Sequence, residues 1–174
     1  MARIDESLSG DDRVRQTLIT GLVLGIGLVG SLDEIVLHQL LQWHNFYVHT
    51  TEYWRIFVDG LFHAFSSAML FGGAMRLWSQ RRTIGSLTGA RPLAAGILFG
   101  MGGFNLYDGI VQHKLMQLHP VREGVENLLP YDLVFNGIAV ALLIAGWLLW
   151  RSRRSGEADA NAATERDMAL GRRG

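Results

Sequence analysis

The sequence predicts an all-α integral membrane protein, a four-transmembrane-helix bundle built from two tandem helix hairpins. Three observations predict it: four apolar segments of spanning length, basic residues gathered at alternate ends of those segments, and a polar pattern that recurs 75 residues apart.

The apolar segments are 17–41, 56–78, 93–118 and 131–150. Each is roughly 20 to 26 residues long, enough for a helix to cross a hydrocarbon core of about 30 Å. A soluble four-helix bundle would need a charged outer face on each segment, and 18–32 carries no charge. Of the 16 basic residues, 13 precede the first segment (Arg3, Arg13, Arg15), surround the second connection (Arg76, Arg81, Arg82, Arg91) or follow the last segment (Arg151, Arg153, Arg154, Arg166, Arg172, Arg173). Both termini are therefore expected in the cytoplasm. The other two connections hold Arg55 and Arg122 and are edged by Trp43, Phe46, Tyr47, Tyr53, Trp54 and Tyr131, the residue types of an outer aromatic interface. The formal net charge of zero hides this asymmetry. The lipid bilayer is the expected partner, a homo-oligomer is compatible with the sequence, and no basic-aromatic surface supports nucleic acid. With no cysteine, disulfides, thiolate metal sites and a cysteine nucleophile are excluded.

Taken in order, 1–16 is a polar cytoplasmic arm and 17–150 the transmembrane domain, with repeat one at about 17–78 and repeat two at about 93–150. The first apolar segment lacks a small-residue cleavage pattern and is expected to be retained. It opens with Gly21-x3-Gly25 and continues through Gly27 and Gly30; the third opens with Gly96-x3-Gly100 and continues through Gly102 and Gly103. Small residues at this spacing let helices approach closely in lipid. Helices one and three are therefore predicted to cross at a pseudo-twofold axis along the membrane normal. Helix two is expected to begin near Asp59-Gly60-Leu61-Phe62-His63 and helix four near Asp132-Leu133-Val134-Phe135-Asn136. The tail 151–174 spreads charges among small residues without an apolar face and is expected to be disordered or loosely helical, and cytoplasmic.

Aligned without gaps, 21–44 and 96–119 share ten identities in 24 positions: Gly21/Gly96, Gly25/Gly100, Gly27/Gly102, Asp33/Asp108, Ile35/Ile110, Val36/Val111, His38/His113, Leu40/Leu115, Gln42/Gln117 and His44/His119. Apolar bias can match leucines and glycines; it gives no reason for Asp, His, Gln and His to recur in register. A duplicated site is the better explanation.

The polar residues of that site are His38, His63, His113, Asp59, Asp33, Asp108, Asp132, Glu34, His44 and His119, all expected at one depth in the outer half of the bundle. An ionisable group at mid-bilayer costs about 2.5 kcal/mol or more, so such groups face the bundle interior or water. The sharpest reading is a metal centre with His38, His63 and His113 as imidazole ligands and Asp59 as a carboxylate ligand. Asp33, Asp108, Asp132 and Glu34 would be further ligands or acceptors for imidazole N–H groups. An N/O set of this kind suits copper(II), zinc or non-haem iron, and Met116, a turn from His113, is the one plausible soft ligand. Helical spacing puts Asp59 with His63, and Glu34 with His38 and Gln42, on common faces. Asp33 and His38, five apart, stand about 140° round an α-helix and cannot easily share an ion without a local bulge. Plainer roles compete: Asp59 and Asp132 as helix caps, and His44, His49 and His119 as interfacial anchors.

The strings 32–44 (LDEIVLHQLLQWH), 59–63 (DGLFH) and 105–115 (NLYDGIVQHKL) together resemble the bacterial membrane family DUF2243, over about residues 15–150. The departure is Glu34, where the family commonly shows glycine, as Gly109 does here. The resemblance implies a multi-pass protein of the bacterial cytoplasmic (inner) membrane. The family's domain occurs in some proteins beside a copper-delivery module of cytochrome c oxidase assembly. This implies copper handling with respiratory oxidase assembly factors as partners, while assigning no reaction. Two alternatives stay open: a membrane metalloenzyme or redox protein with Glu34 or Asp33 as base, and a proton or cation conductor using the same acids and histidines. Bis-histidine haem between His38 and His113 is disfavoured by the surrounding acids, and no hydrolase triad or phosphate loop is present.

Overall fold

The computed structural model describes residues 9–81 and 87–171, with side chains for 9–81 and 90–152. It is all-helical, with no strand among the described residues. Helix α1 (Gly10–Leu32) runs without interruption into a π-helix, π1 (Asp33–Leu40). An irregular connection leads to α2 (Glu52–Ser79). Helix α3 (Leu87–Tyr107) again passes into a π-helix, π2 (Asp108–Leu115), and α4 (Leu129–Gly171) closes the chain. Four stretches are long and apolar enough to cross a membrane: Gly10–Leu40, Glu52–Ser79, Ala90–Leu115 and Leu129–Ser152.

Several boundaries differ from the sequence expectation. Helix α1 starts at Gly10, inside the segment read as an arm, because Ser9 caps it: its Oγ accepts the Asp12 N–H at 3.2 Å. Residues 1–8 of that arm lie outside the described residues. Helix α2 starts seven residues before Asp59, so Asp59 is no cap. The tail after Trp150, expected to be disordered or loosely helical, is helix as far as Gly171, and 172–174 lie outside the described residues. Its alanines, Ala158, Ala160, Ala162 and Ala163, carry a helix propensity that the lack of an apolar face obscured.

Glycines set the helix contacts. A Cβ placed on Gly21 would meet the Gly96 Cα at 2.9 Å, and one on Gly96 the Gly21 Cα at 3.0 Å; Gly25 and Gly100 stand in the same reciprocal relation at 3.0 Å. Both pairs advance in the same direction, so α1 and α3 run parallel with their backbones touching. Helix α2 lies antiparallel on α1, Gly27 against Leu70 and Gly30 against Ser66. Helix α4 lies antiparallel on α3, Gly102 against Ala139 and Leu143. The expected close approach of the first and third helices is thus present, and Gly27 and Gly102, also 75 apart, each receive the outer helix of their own half. Among the described residues few large apolar side chains are buried, Val29, Phe62 and Val121 with the small Ala95 and Ala139, while Leu61, Phe71, Met75, Leu133 and Leu148 point outward. The bundle's greasy outside and polar inside match a lipid surround, where van der Waals fit and polar contacts hold helices together.

Each π-helix ends in one residue of left-handed backbone, Gln42 at φ 50° and Gln117 at φ 51°. This conformation costs an L-residue about 1–2 kcal/mol and a β-branched one most. Gln42→Val is expected to lower stability by about 1 kcal/mol while Gln42→Gly lowers it not at all, as read by thermal unfolding in detergent. Equal losses in both would show that the Gln42 side chain, and not its backbone, matters.

Candidate metal centre

The two π-helices solve the spacing problem posed by Asp33 and His38. Hydrogen bonds from i to i+5 widen the turn so that residues five apart stack, where an α-helix would set them on different faces. The His38 Nε2 lies 3.3 Å from Asp33 Oδ2, and the His113 Nε2 lies 2.9 Å from Asp108 Oδ2. Gln39 uses the same step, donating from Nε2 to Glu34 Oε1 at 2.9 Å. The local bulge that would let the two share an ion is present as an eight-residue π segment in each half.

The π-helices close with the bonds Leu41 N–H to Val36 O at 2.9 Å and Met116 N–H to Val111 O at 2.7 Å. Beyond the left-handed turns at Gln42 and Gln117 the chain folds back into the bundle, carrying His44 and His119 inward. The two connections then pair with each other. The Val48 N–H donates to Leu118 O at 3.1 Å and the Glu123 N–H to Trp43 O at 2.7 Å, the same bond repeated at the 75-residue offset. Arg55 ties them further through Val48 O at 2.7 Å and Glu123 at 3.3 Å.

Four imidazoles meet there. His44 and His119 stack with ring centroids 4.6 Å apart, and His38 approaches His44, as His113 approaches His119, edge-on at 4.6 Å. All four residues are at most 5% exposed. Phe62 and Phe135 wall the nest from the two outer helices, 6.0 Å from His38 and 5.1 Å from His113. On the His38 side, Nδ1 lies 3.0 Å from Glu34 Oε2 and 3.4 Å from Asp59 Oδ1. Asp59 is fixed by the Phe46 N–H and by Asn45 Nδ2, both at 2.7 Å. Three groups bring one potential ligand atom per residue within 4.8 Å of each other: His44, His113 and His119; Asp33, His38 and His44; and Glu34, His38 and Asp59.

The electrostatics favour neutral rings in the connections. Burial pushes His44 down from 6.5 to about 4 against the attraction of Asp33, and burial with its imidazole neighbours pushes His119 down to about 2. The His44 Nδ1 lies 2.8 Å from Val121 O, which can only accept. This fixes the proton on Nδ1 and turns the Nε2 lone pair to the nest.

The expected site residues divide accordingly. His38, His44, His113, His119, Glu34, Asp59, Asp33 and Asp108 come together. His44 and His119, which could have been interfacial anchors, are among the most buried polar residues. His63 does not join them: it is exposed, because the buried face of α2 runs through Asp59, Phe62 and Ser66 and His63 is turned about 100° past Phe62. Asp132 lies in the first turn of α4 and pairs with Lys114 instead. Gln42 and Gln117 are exposed and act through their backbone, and Met116, 55% exposed, is no ligand. Sequence reasoning missed Gln112, buried beside His113 with its Oε1 unpartnered among the described residues; Leu37 holds that position in repeat one, so the repeat carried no signal for it. An apolar groove of about 620 Å³ runs between α1 and α4, lined by Val29, Leu32, Val134, Phe135 and Ile138 with Asp33 on its wall. The corresponding place in the other half is filled by Phe104, at the position of Val29, stacked on Phe62 at 6.0 Å.

Residues 20–153 match the family described as "Predicted membrane protein (DUF2243)". The chain belongs to the DUF2243 family. The match covers both π segments and reaches into all four helices of this DUF2243 protein, so the π-helical histidine nest lies wholly within the family domain. No curated protein and no solved structure matches it.

Proposed function

We propose that this membrane protein binds a metal ion among His44, His113 and His119, with copper favoured. One observation carries the reading: seven imidazole nitrogens, both of His38, His113 and His119 and the Nε2 of His44, are buried without a hydrogen-bond partner among the described residues. Neighbouring carboxylates lie close but off the angles a hydrogen bond needs. Each buried polar atom left unsatisfied costs about 1–3 kcal/mol, and together they are comparable with the whole net stability of a domain. Each neutral ring carries a lone pair on one nitrogen and a proton on the other, and an ion converts the lone pairs from a cost into ligands. Affinity of an all-nitrogen site peaks at copper(II) among the divalent ions. The basic residues at the termini and around 76–91 support an orientation with both termini cytoplasmic, which opens the centre outward in a bacterial inner membrane. Copper handling for respiratory oxidase assembly is the finer reading, supported by the resemblance alone.

The test is elemental analysis and copper(II) titration of detergent-purified protein without a polyhistidine tag. His44→Ala, His113→Ala and His119→Ala are each expected to weaken binding by at least about 10–100-fold, the loss known from disturbing only the partners behind metal ligands. Metal content unchanged in all three would overturn the reading. A folded protein that takes no metal and carries protons into liposomes would favour conduction. A second reading, a membrane metalloenzyme or redox protein, is favoured by the groove, which gives a lipophilic molecule a path to Asp33. Copper-dependent turnover of such a molecule, blocked by Val29→Phe, would support it.

A further inference from the structure

Resting on the metal reading above, we propose a second and chemically different metal position, formed by Glu34, His38 and Asp59 in repeat one alone. The two groups of ligand atoms, His44 with His113 and His119, and Glu34 with His38 and Asp59, share no residue. The third group, Asp33 with His38 and His44, takes one residue from each and cannot be filled beside both. The nest therefore holds two ions, one in an all-imidazole position and one in a position with two carboxylates. Glu34 is 1% exposed, its Oε2 has no hydrogen-bond partner among the described residues, and that atom faces the His38 Nδ1 at 3.0 Å. A bare carboxylate oxygen and a bare imidazole nitrogen so placed are ligands for a cation.

The sequence differences between the halves converge on this position. Where repeat one has Glu34, repeat two has Gly109, and a Cβ there would collide with the Asn136 amide that fills the space. Gln39, which holds Glu34, is replaced by Lys114, which instead neutralises Asp132, the counterpart of Asp59. His63, at the place of Asn136, is exposed and leaves the room that Glu34 occupies. Repeat two thus lacks one carboxylate and has the other occupied by an ammonium. The rings show the same asymmetry: His113 stands 6.0 Å from His44, whereas His38, beside its acids, stands 6.4 Å from His119. Carboxylate oxygens suit harder ions such as manganese(II), while the imidazole position suits copper(II) or zinc.

The experiment strips the purified full-length protein with a chelator and loads it with zinc alone. A copper(II)-loaded sample is then titrated with manganese(II), followed by paramagnetic resonance. The wild type is expected to take about two zinc ions per chain and to bind manganese beside copper. Glu34→Gln, which keeps the bond to Gln39, is expected to take about one zinc, keep its copper and lose manganese binding. Asp59→Asn repeats the test if Glu34→Gln does not fold, and thermal unfolding checks both. One zinc in wild type and variant alike, or two in both, would overturn the second position and leave the all-imidazole centre standing. No zinc in either would overturn both.

Discussion

Gly25→Leu is expected to leave no correctly assembled bundle. A Cβ at Gly25 would meet the Ile97 backbone, its carbonyl carbon at 2.9 Å, and the Gly100 Cα at 3.0 Å. These neighbours are main chain in a parallel helix and cannot swing aside as a side-chain tip can. Overpacking by single methylenes costs about 1–3 kcal/mol in a packed core, and leucine adds four carbons where none fits. Helix association in lipid has no compensating hydrophobic term, so α1 and α3 must part. Size-exclusion profile and thermal unfolding read the effect against Gly72→Leu, where a Cβ has nothing within 4 Å. If the two variants elute and melt alike, the glycine contact does not hold the bundle.

The metal-free protein is expected to lose stability steeply on mild acidification. Unfolded histidine titrates near 6.5, whereas folded His44 titrates near 4 and folded His119 near 2. Below pH 6.5 the unfolded chain takes up protons that the folded protein refuses, so stability falls with pH. The loss from His44 runs from about pH 6.5 to about 4; that from His119 continues to about 2. Each pH unit that separates the folded from the unfolded titration of a ring corresponds to about 1.4 kcal/mol, so the two rings together are expected to cost several kcal/mol. Melting temperature measured from about pH 7.5 to 4.5 should drop, and the slope should be shallower in His119→Asn. A flat profile in the metal-free wild type would show that water reaches and protonates the nest without unfolding it. Metal loading should hold the profile flat until the ion leaves, since ligation keeps the rings unprotonated.

The helices and their partners were legible because lipid imposes simple rules: spans of fixed length, small residues where backbones touch, and charge at the ends. Gly21, Gly25, Gly96 and Gly100 announced the contact that the structure contains. The acids and histidines were legible as a candidate cluster for the same reason, their cost in a membrane. What could not be read was backbone geometry. Angles drawn on an α-helix separate Asp33 from His38, join Glu34 to Gln42 and leave His44 outside; the π-helix reverses the first, and the left-handed turn at Gln42 the other two. The conflict at Asp33 and His38 left two readings open, a local bulge or separate roles for the two residues, and only the backbone of π1 and π2 decides between them. His63 misled for a different reason: a spacing of four from Asp59 sets a common side of α2, but only the packing of Phe62 and Ser66 decides where the buried stripe ends. Lys114 and Asn136 took on meaning only beside Asp132 and Gly109.

The exchanged bonds between the two connections bear on biosynthesis. A chain emerging from the ribosome inserts its first hairpin before its second exists. At that stage Glu34, His38 and Asp59 are already in the membrane, whereas the imidazole triad lacks His113 and His119, and His44 lacks the Val121 carbonyl that sets its proton. Trp43 and Val48 likewise wait for Glu123 and Leu118. On the metal reading proposed above, the nascent protein lacks the imidazole position until His113 and His119 have been synthesised. A chain truncated before His113 would reach the membrane without that triad.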